Sequence, residues 1–259
     1  MSQAARVAVK LDRRRAGSVG YLTVDNRAKL NTLDRALMTA MIAELSALAR
    51  DDELRALVIT GAGSKAFIGG ASIPEMAALD RDTAKDFIKL VHRCCDGLRR
   101  LPVPVIARID GYALGAGLEI AVSCDLRVAT DRAKFGMPEV KVGIPSVVEA
   151  ALIPQLIGFG RARELLMLGE IIDAGTALRW GLIERVVEPT ALDREVESIV
   201  DALLQAGANA IRQQKALMRA WERLPADEAI AAGIDVFARA FETDEPKRML
   251  SAFAKRKRG

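Results

Sequence analysis

The sequence predicts an α/β core continued by a helical C-terminal segment, and three observations carry that prediction. Short apolar runs alternate with stretches of helical periodicity up to about residue 187. From Pro189 onward the periodicity is helical throughout. No linker, low-complexity segment or strict repeat separates the two regions. Alternating strands and helices build a sheet with helices packed on it, so a helical run after them reads as an extension of that core.

Val7 to Leu11 and Val19 to Val24 read as an opening hairpin, with a basic turn at Asp12-Arg13-Arg14-Arg15 and Gly17 between them. Asn26-Arg27-Ala28-Lys29 is a polar loop. Thr32 precedes a helix from about Asp34 to Arg50, where Leu37, Met41, Leu45 and Leu48 recur at helical spacing. Ala56 to Thr60 is a buried strand ending at Gly61, and Ala66 to Met76 contains a glycine-rich turn. Asp80 to Arg100 is a long helix with Phe87, Leu90, Val91, Cys94 and Leu98 on one face. The apolar run Val103 to Ile109 is a strand, followed by the stretch Gly111 to Asp125, which reads as a turn and a helix. Leu126 to Ala129 and the segment around Phe135 to Val140 come next. Ser146-x-x-Glu149 has the spacing of a capping box ahead of the apolar Ala150 to Ile157, a reading preferred over Glu149 as a further catalytic acid. Helical patterns at Ala162 to Leu168 and Ala174 to Trp180 precede a last strand, Ile183 to Val187.

Composition narrows the function classes. The 259 residues are 51% apolar and 28% charged, as in an ordinary globular protein. The net charge of +4 is an end effect, because residues 247 to 259 hold six Lys or Arg and no acid. A nucleic-acid binder usually spreads its positive charge over a face. The basic end reads either as a solvated tail or as an anchor for a phosphate-bearing ligand. Cys94, Cys95 and Cys124 suit neither a disulfide framework nor a metal site and read as buried small hydrophobes. The N-terminus lacks a signal-peptide core and no 18-residue apolar run occurs, which points to a soluble cytoplasmic protein.

The stretch Gly111 to Asp125 reads G-Y-A-L-G-A-G-L-E-I-A-V-S-C-D. A turn at Gly115-Ala116-Gly117 exposes backbone N–H groups at a helix start, where a negative oxygen can bind, and Glu119 lies in the first helical turn. A dinucleotide fingerprint fails, since its third glycine falls at Ile120 and Glu119 would face a pyrophosphate. No Walker-type run occurs. Gly70-Ala71-Ser72-Ile73-Pro74 departs from a nucleophile elbow at its last position. The single histidine, His92, sits in mid-helix and reads as structural, against a serine hydrolase. Two glycine-rich turns and two carboxylates, Glu119 and Glu139, remain. Two turns can each give one N–H to a single oxyanion, a device whose donors are worth about a hundred- to a thousandfold in rate each. Paired carboxyls suit proton traffic. Each acid also has a plain alternative, Glu119 as a complement to the helix dipole and Glu139 as a turn residue after Pro138, and spacing alone does not decide between them.

Ala66 to Met76, Gly111 to Asp125 and Phe135 to Pro145 resemble the crotonase, or enoyl-CoA hydratase/isomerase, superfamily. Asn26-Arg27, Leu30-Asn31 and Ser251-Ala252-Phe253 extend the resemblance over nearly the whole chain. It implies an α/β spiral of repeated β-β-α units over residues 1–195, holding the acyl-CoA site. A helical region over 196–259 would form a homotrimer or a dimer of trimers. It implies an enoyl-CoA hydratase of fatty-acid metabolism, with Glu119 and Glu139, twenty residues apart, as the acids. Ala71 and Ala116 would be the oxyanion donors. Glu119 is expected as the base that activates water and Glu139 as the acid that protonates C2. Substrate or CoA contacts are implied at Arg27, Lys29, Lys65, Ala66, Ile68, Gly69, Ala71, Ile73, Gly115, Ala116, Phe253 and Arg256. No metal and no cofactor apart from the CoA of the substrate is expected, and neither a membrane nor a nucleic acid is an expected partner. Three departures stand out: Ala116 where the family often has Gly, Ser72 where Asp is common, and a loop from Asn26 to Leu30 one residue shorter than usual. An isomerase using Glu139 alone, another acyl-CoA enzyme of the fold, or an RNA-binding role of the basic tail are the alternatives.

Overall fold

The computed structural model describes residues 4–256, with Arg256 described by its backbone alone. The chain opens with an antiparallel pair, β1 (Arg6–Arg14) and β2 (Gly17–Asp25). This hairpin is longer than expected, because Asp12, Arg13 and Arg14 belong to the strand and only Arg15 and Ala16 turn. Arg14 stays in the ladder because its guanidinium finds Asp12 at 2.9 Å and Glu197 at 2.7 Å. Helix α1 (Arg35–Leu48) follows, capped by Asp34, whose side chain accepts the Leu37 N–H at 2.8 Å.

From Leu54 to Gly136 consecutive strands alternate between two sheets. Strands β3 (Leu54–Gly61), β5 (Val105–Ile109), β7 (Leu126–Thr130) and β10 (Arg185–Val187) join the large sheet, in the order β1-β2-β3-β5-β7-β10. Strands β4 (Ala66–Ile68), β6 (Tyr112–Leu114), β8 (Lys134–Gly136) and β9 (Ile171–Asp173) form the small one, in that order. All pairings beyond the opening hairpin are parallel except β8 with β9. Each turn of the chain thus lays one strand on each sheet. Helices close the turns: α2 (Ile73–Ala77), α3 (Arg81–Arg100), α4 (Ala116–Val122), α5 (Ile153–Leu168) and α6 (Ala174–Trp180).

The central core includes Phe67 and Phe135, the largest fully buried side chains, together with buried faces of α1 and α3. Period-two alternation on β3 separates two cores: Leu57 and Ile59 point inward, while Ala56 and Val58 meet Val196, Ile199 and Val200 of α7 (Leu192–Gln205). The division expected at residue 195 therefore falls inside a helix that packs on the sheet. Helices α8 (Ala208–Trp221), α9 (Ala226–Ala240) and α10 (Glu245–Arg256) complete the chain. Lys215 fastens α8 to the core: its buried Nζ donates to the carbonyls of Leu98 and Val103 and to Asp125 Oδ2, at 3.2, 2.8 and 2.7 Å.

Three expectations are corrected. The turn before α4 follows the short strand β6 and not Val103 to Ile109 directly. Helix α5 begins at Ile153, and Gly158 (φ +76°) breaks it before Ala162. Ser146-x-x-Glu149 makes no capping box: the 3₁₀ turn Val148–Leu152 has Val147 at its N-cap and no side-chain cap.

Candidate active site

Two turns and two carboxyls meet on one cavity. The first turn leaves β4 at Gly69-Gly70-Ala71, with Gly70 at φ +110°. Leu33 N–H donates to Gly70 O at 2.9 Å and Leu33 O accepts the Ser72 N–H at 2.8 Å. Because Leu33 bonds the peptide groups on either side of Ala71, the N–H of Ala71 itself points the other way. Asn31 holds the facing loop: its amide donates to Ala62 O at 3.0 Å and Ala66 O at 2.8 Å, and its Oδ1 accepts the Asn26 N–H at 2.9 Å. The second turn is Gly115 (φ +51°, ψ −122°), and its N–H donates to Gly136 O at 2.9 Å. Ala116 is the first residue of α4, so its N–H has no intrahelical acceptor. A side chain at Gly115 would collide with Glu139 Oε1. Glycine is therefore needed for both the backbone angle and the room beside the carboxyl.

The cavity holds about 530 Å³ and is lined by Ala71, Ala116, Glu119 and Glu139. Ile73, Met76, Phe87, Ile88, Val142 and Ile144 give it apolar walls, and among the described residues Lys85 is the one cation on its lining.

The two acids sit in different surroundings. Glu119 is 4% exposed, and its Oε1 accepts the Ala150 N–H at 3.2 Å. Burial pushes its carboxyl up to about 8, with further upward pressure from the negative charges of Glu139 and Glu149; the Ala150 N–H pulls the other way. Glu139 lies half-buried in the 3₁₀ turn Pro138–Val142, and its Oε2 accepts the Ser146 hydroxyl at 2.9 Å. Burial therefore favours the protonated form of Glu119, the acid expected to act as the base.

Sequence reasoning missed the supports of these acids. Ser146, assigned to a helix cap, instead holds Glu139. Glu149, assigned to the same cap, is buried, and its Oε1 lies 2.8 Å from His92 Nδ1. Burial raises the Glu149 carboxyl above the usual range and His92 draws it back. The signal available for both was a polar pair close in sequence to Glu139, but a four-residue cap explained it equally well.

The expected CoA contacts scatter more widely. Arg27 donates to both oxygens of Asp25, at 2.9 and 2.7 Å, beside a hollow of about 540 Å³ that Asn26 and Lys29 also line. Lys65 is exposed before β4, whereas the side chains of Ala66 and Ile68 are in the core and leave only their backbone for a ligand. Gly69 and Ile73 line the cavity. Phe253 is exposed on α10 and does not line it. The Arg256 side chain, with Lys257 and Arg258 of the basic tail, lies outside the described residues. Cys94, Cys95 and Cys124 are free and buried, and burial pushes the thiols of Cys94 and Cys124 up to about 12. Among the described residues no helix is long and apolar enough to cross a membrane.

Comparison with known proteins adds an independent line. The family model described as enoyl-CoA hydratase/isomerase matches residues 14–259. The short-chain-enoyl-CoA hydratase of Clostridium acetobutylicum is 33% identical over 243 residues, 93% of each chain. The crotonyl-CoA hydratase of Syntrophomonas wolfei is 35% identical over 235 residues, 90% of each chain. The solved structure of enoyl-CoA hydratase from Mycobacterium smegmatis matches with a TM-score of 0.90 at 32% identity, covering 96% of both chains.

Proposed function

The chain belongs to the enoyl-CoA hydratase/isomerase family, and from that premise we infer that it is an enoyl-CoA hydratase. It adds water to a 2-trans-enoyl-CoA and gives a 3-hydroxyacyl-CoA. The observation that carries this reading is the placing of two carboxyls and two turn residues with outward N–H groups on one apolar cavity. Both alternatives to a catalytic pair lose ground there: a dipole complement does not need burial, and a plain turn residue does not need a serine to orient it.

In the proposed mechanism the thioester oxygen accepts the N–H groups of Ala71 and Ala116. Negative charge developing on that oxygen is stabilised by fixed donors, which makes C3 electrophilic. Water lies between Glu119 and Glu139. As its oxygen bonds to C3, Glu119 takes a proton from it and Glu139 gives a proton to C2. A protonated Glu119 must first give up its proton for this order to hold, and the bridging water supplies the path. The two carboxyls then act as one unit with one mobile proton, not as two separately titrating groups. No cofactor takes part in this scheme.

Arg27, Lys29 and Lys65 are cations suited to the phosphates of CoA, with Phe253 and Arg256 reaching it from a neighbouring subunit. A homotrimer, or a dimer of trimers, accounts for the apolar surface that α9 and α10 leave exposed. Three buried thiols suit a reducing, cytoplasmic setting, and lipid metabolism is where this chemistry fits.

Loss of absorbance from the conjugated thioester of crotonyl-CoA tests the reading. Glu119→Gln and Glu139→Gln are expected to lose about 10²- to 10⁴-fold in rate while still binding the thioester. Near-normal turnover by either variant refutes the assignment of that acid. A wild-type enzyme that shifts the double bond of a 3-enoyl-CoA without taking up water would be an isomerase instead.

A further inference from the structure

One short strap supports both acids. Ser146 Oγ donates to Glu139 Oε2 at 2.9 Å, and four residues later Ala150 N–H donates to Glu119 Oε1 at 3.2 Å. Between them Val148 adopts φ +40°, a conformation that β-branched residues rarely take and that costs of the order of 1–3 kcal/mol. No side chain caps the 3₁₀ turn that starts there. The strap therefore needs an external tie to keep its shape.

Glu149 makes that tie. Its side chain is 5% exposed, and its Oε1 lies 2.8 Å from Nδ1 of His92 on α3. Helix α3 is a firm base for it: a reciprocal capping box between Asp80 and Thr83 closes its start, and Val91, Cys94 and Cys95 beside His92 are buried. The second oxygen, Oε2, is buried and has no hydrogen-bond partner among the described residues. A buried carboxylate oxygen without a partner is destabilising, so folding alone does not account for this acid. Neither Glu149 nor His92 lines the cavity.

We propose that Glu149 and His92 form a positioning pair that ties the strap Ser146–Ala150 to α3 and thereby orients both Glu119 and Glu139. The proposal rests on the hydratase reading. It assigns the pair two effects. The tie keeps the Ser146 hydroxyl and the Ala150 N–H aimed at their carboxyls. The charge of Glu149 adds to the field at Glu119, an upward push on that carboxyl smaller than those of its burial and of Glu139. The charged and titratable groups facing Glu149 are His92, Asp96 and Arg99 with Cys94 and Cys95 from α3, and Glu119 from α4.

The test uses the full-length enzyme and crotonyl-CoA, following kcat, KM and the pH–rate profile together with thermal unfolding. His92→Ala removes the tie at a half-exposed helical site where alanine is readily accommodated. Its kcat is expected to fall about 10- to 100-fold, the scale of a small misplacement of catalytic groups, with KM within about twofold. His92→Asn, whose amide can reach as Nδ1 does, should recover most of that loss. Glu149→Gln keeps Oε1 as an acceptor and removes the like charge, so the limb of the profile belonging to Glu119 should move to lower pH. Wild-type kcat and an unmoved profile in both His92→Ala and Glu149→Gln would overturn the proposal alone. So would a loss in His92→Ala that follows the fraction unfolded and is not rescued by Asn. A wild-type enzyme without hydration activity overturns the hydratase reading, and the proposal with it.

Discussion

Glu119 carries a carboxyl in surroundings that oppose its charge, and this has a measurable cost. Its value in the folded chain, about 8, lies above that of an exposed carboxyl, chiefly because it is buried. The unfolded chain therefore gives up this proton at lower pH than the folded chain does. The contribution to stability is complete below the ordinary carboxylate value and is lost as the pH rises through about 8. Glu119→Gln removes the ionisation and keeps the shape, so it should unfold at a higher temperature than the wild type at pH 9. The difference should shrink toward pH 5, where the folded wild type is protonated at this site. Scanning calorimetry at the two pH values checks it, and equal gaps at both would contradict the account. Glu119 and Glu139 were both legible as candidates, because an acid after a glycine turn is visible in the text of the sequence. Their supports were not. Ser146 and Glu149 match a local capping pattern, but their real partners lie 7 and 57 residues away, at Glu139 and His92. Long-range partners leave no trace in local spacing.

At the level of elements, the turn before α4 combines two demands in one glycine. Gly115 has φ +51° and ψ −122°, which side chains disfavour, and a Cβ there would meet Glu139 Oε1. Gly115→Ala is expected to cost about 1–3 kcal/mol in stability and to lower kcat more than it raises KM, since it displaces an acid. Denaturant unfolding and steady-state kinetics with crotonyl-CoA measure both, and a variant with unchanged kcat would mean that Glu139 has room to retreat. Gly117 makes the neighbouring contact, since a Cβ there would collide with the carbonyl of Ile68 on β4. The two glycine-rich stretches were thus readable as turns, and their close approach explains why each needs glycine. Most helices and strands of the large sheet were equally plain, because Leu, Ile and Val recur with the period of their element. Strands β4, β6, β8 and β9 span three residues each, too short for a period to appear. The second sheet therefore emerges only when the chain is folded. The Lys215 tie of α8 was hidden for another reason, since a lysine in a helix ordinarily reads as solvated.

At the scale of the whole molecule, the C-terminal helices bury little within their own chain. Helix α9 has no buried residue, and Ile230, Ile234 and Phe237 on it are 66%, 67% and 70% exposed. Their spacing of four and three residues sets them on one stripe, which Phe241 continues by an edge-to-face contact with Phe237. On α10, Leu250 is 60% exposed as well. A contiguous apolar stripe of this kind in a monomer marks an interaction surface, and a second copy of the chain is the partner that the proposed trimer provides. Sedimentation should give three or six times the 28.0 kDa of one chain. The double substitution Ile234→Asp and Phe237→Asp places charge in the centre of the stripe and should yield monomers that keep the α/β core. The consequence for catalysis separates this from a mere packing effect. If α10 of one subunit reaches the CoA bound by another, dissociation removes part of the CoA site and leaves the two acids in place. The monomeric variant should then show a KM for crotonyl-CoA raised by about tenfold or more, the loss of roughly one charged contact, with kcat nearer that of the wild type. Monomers with an unchanged KM would show that each chain binds CoA unaided, and a wild-type monomer would leave the apolar stripe to a different partner.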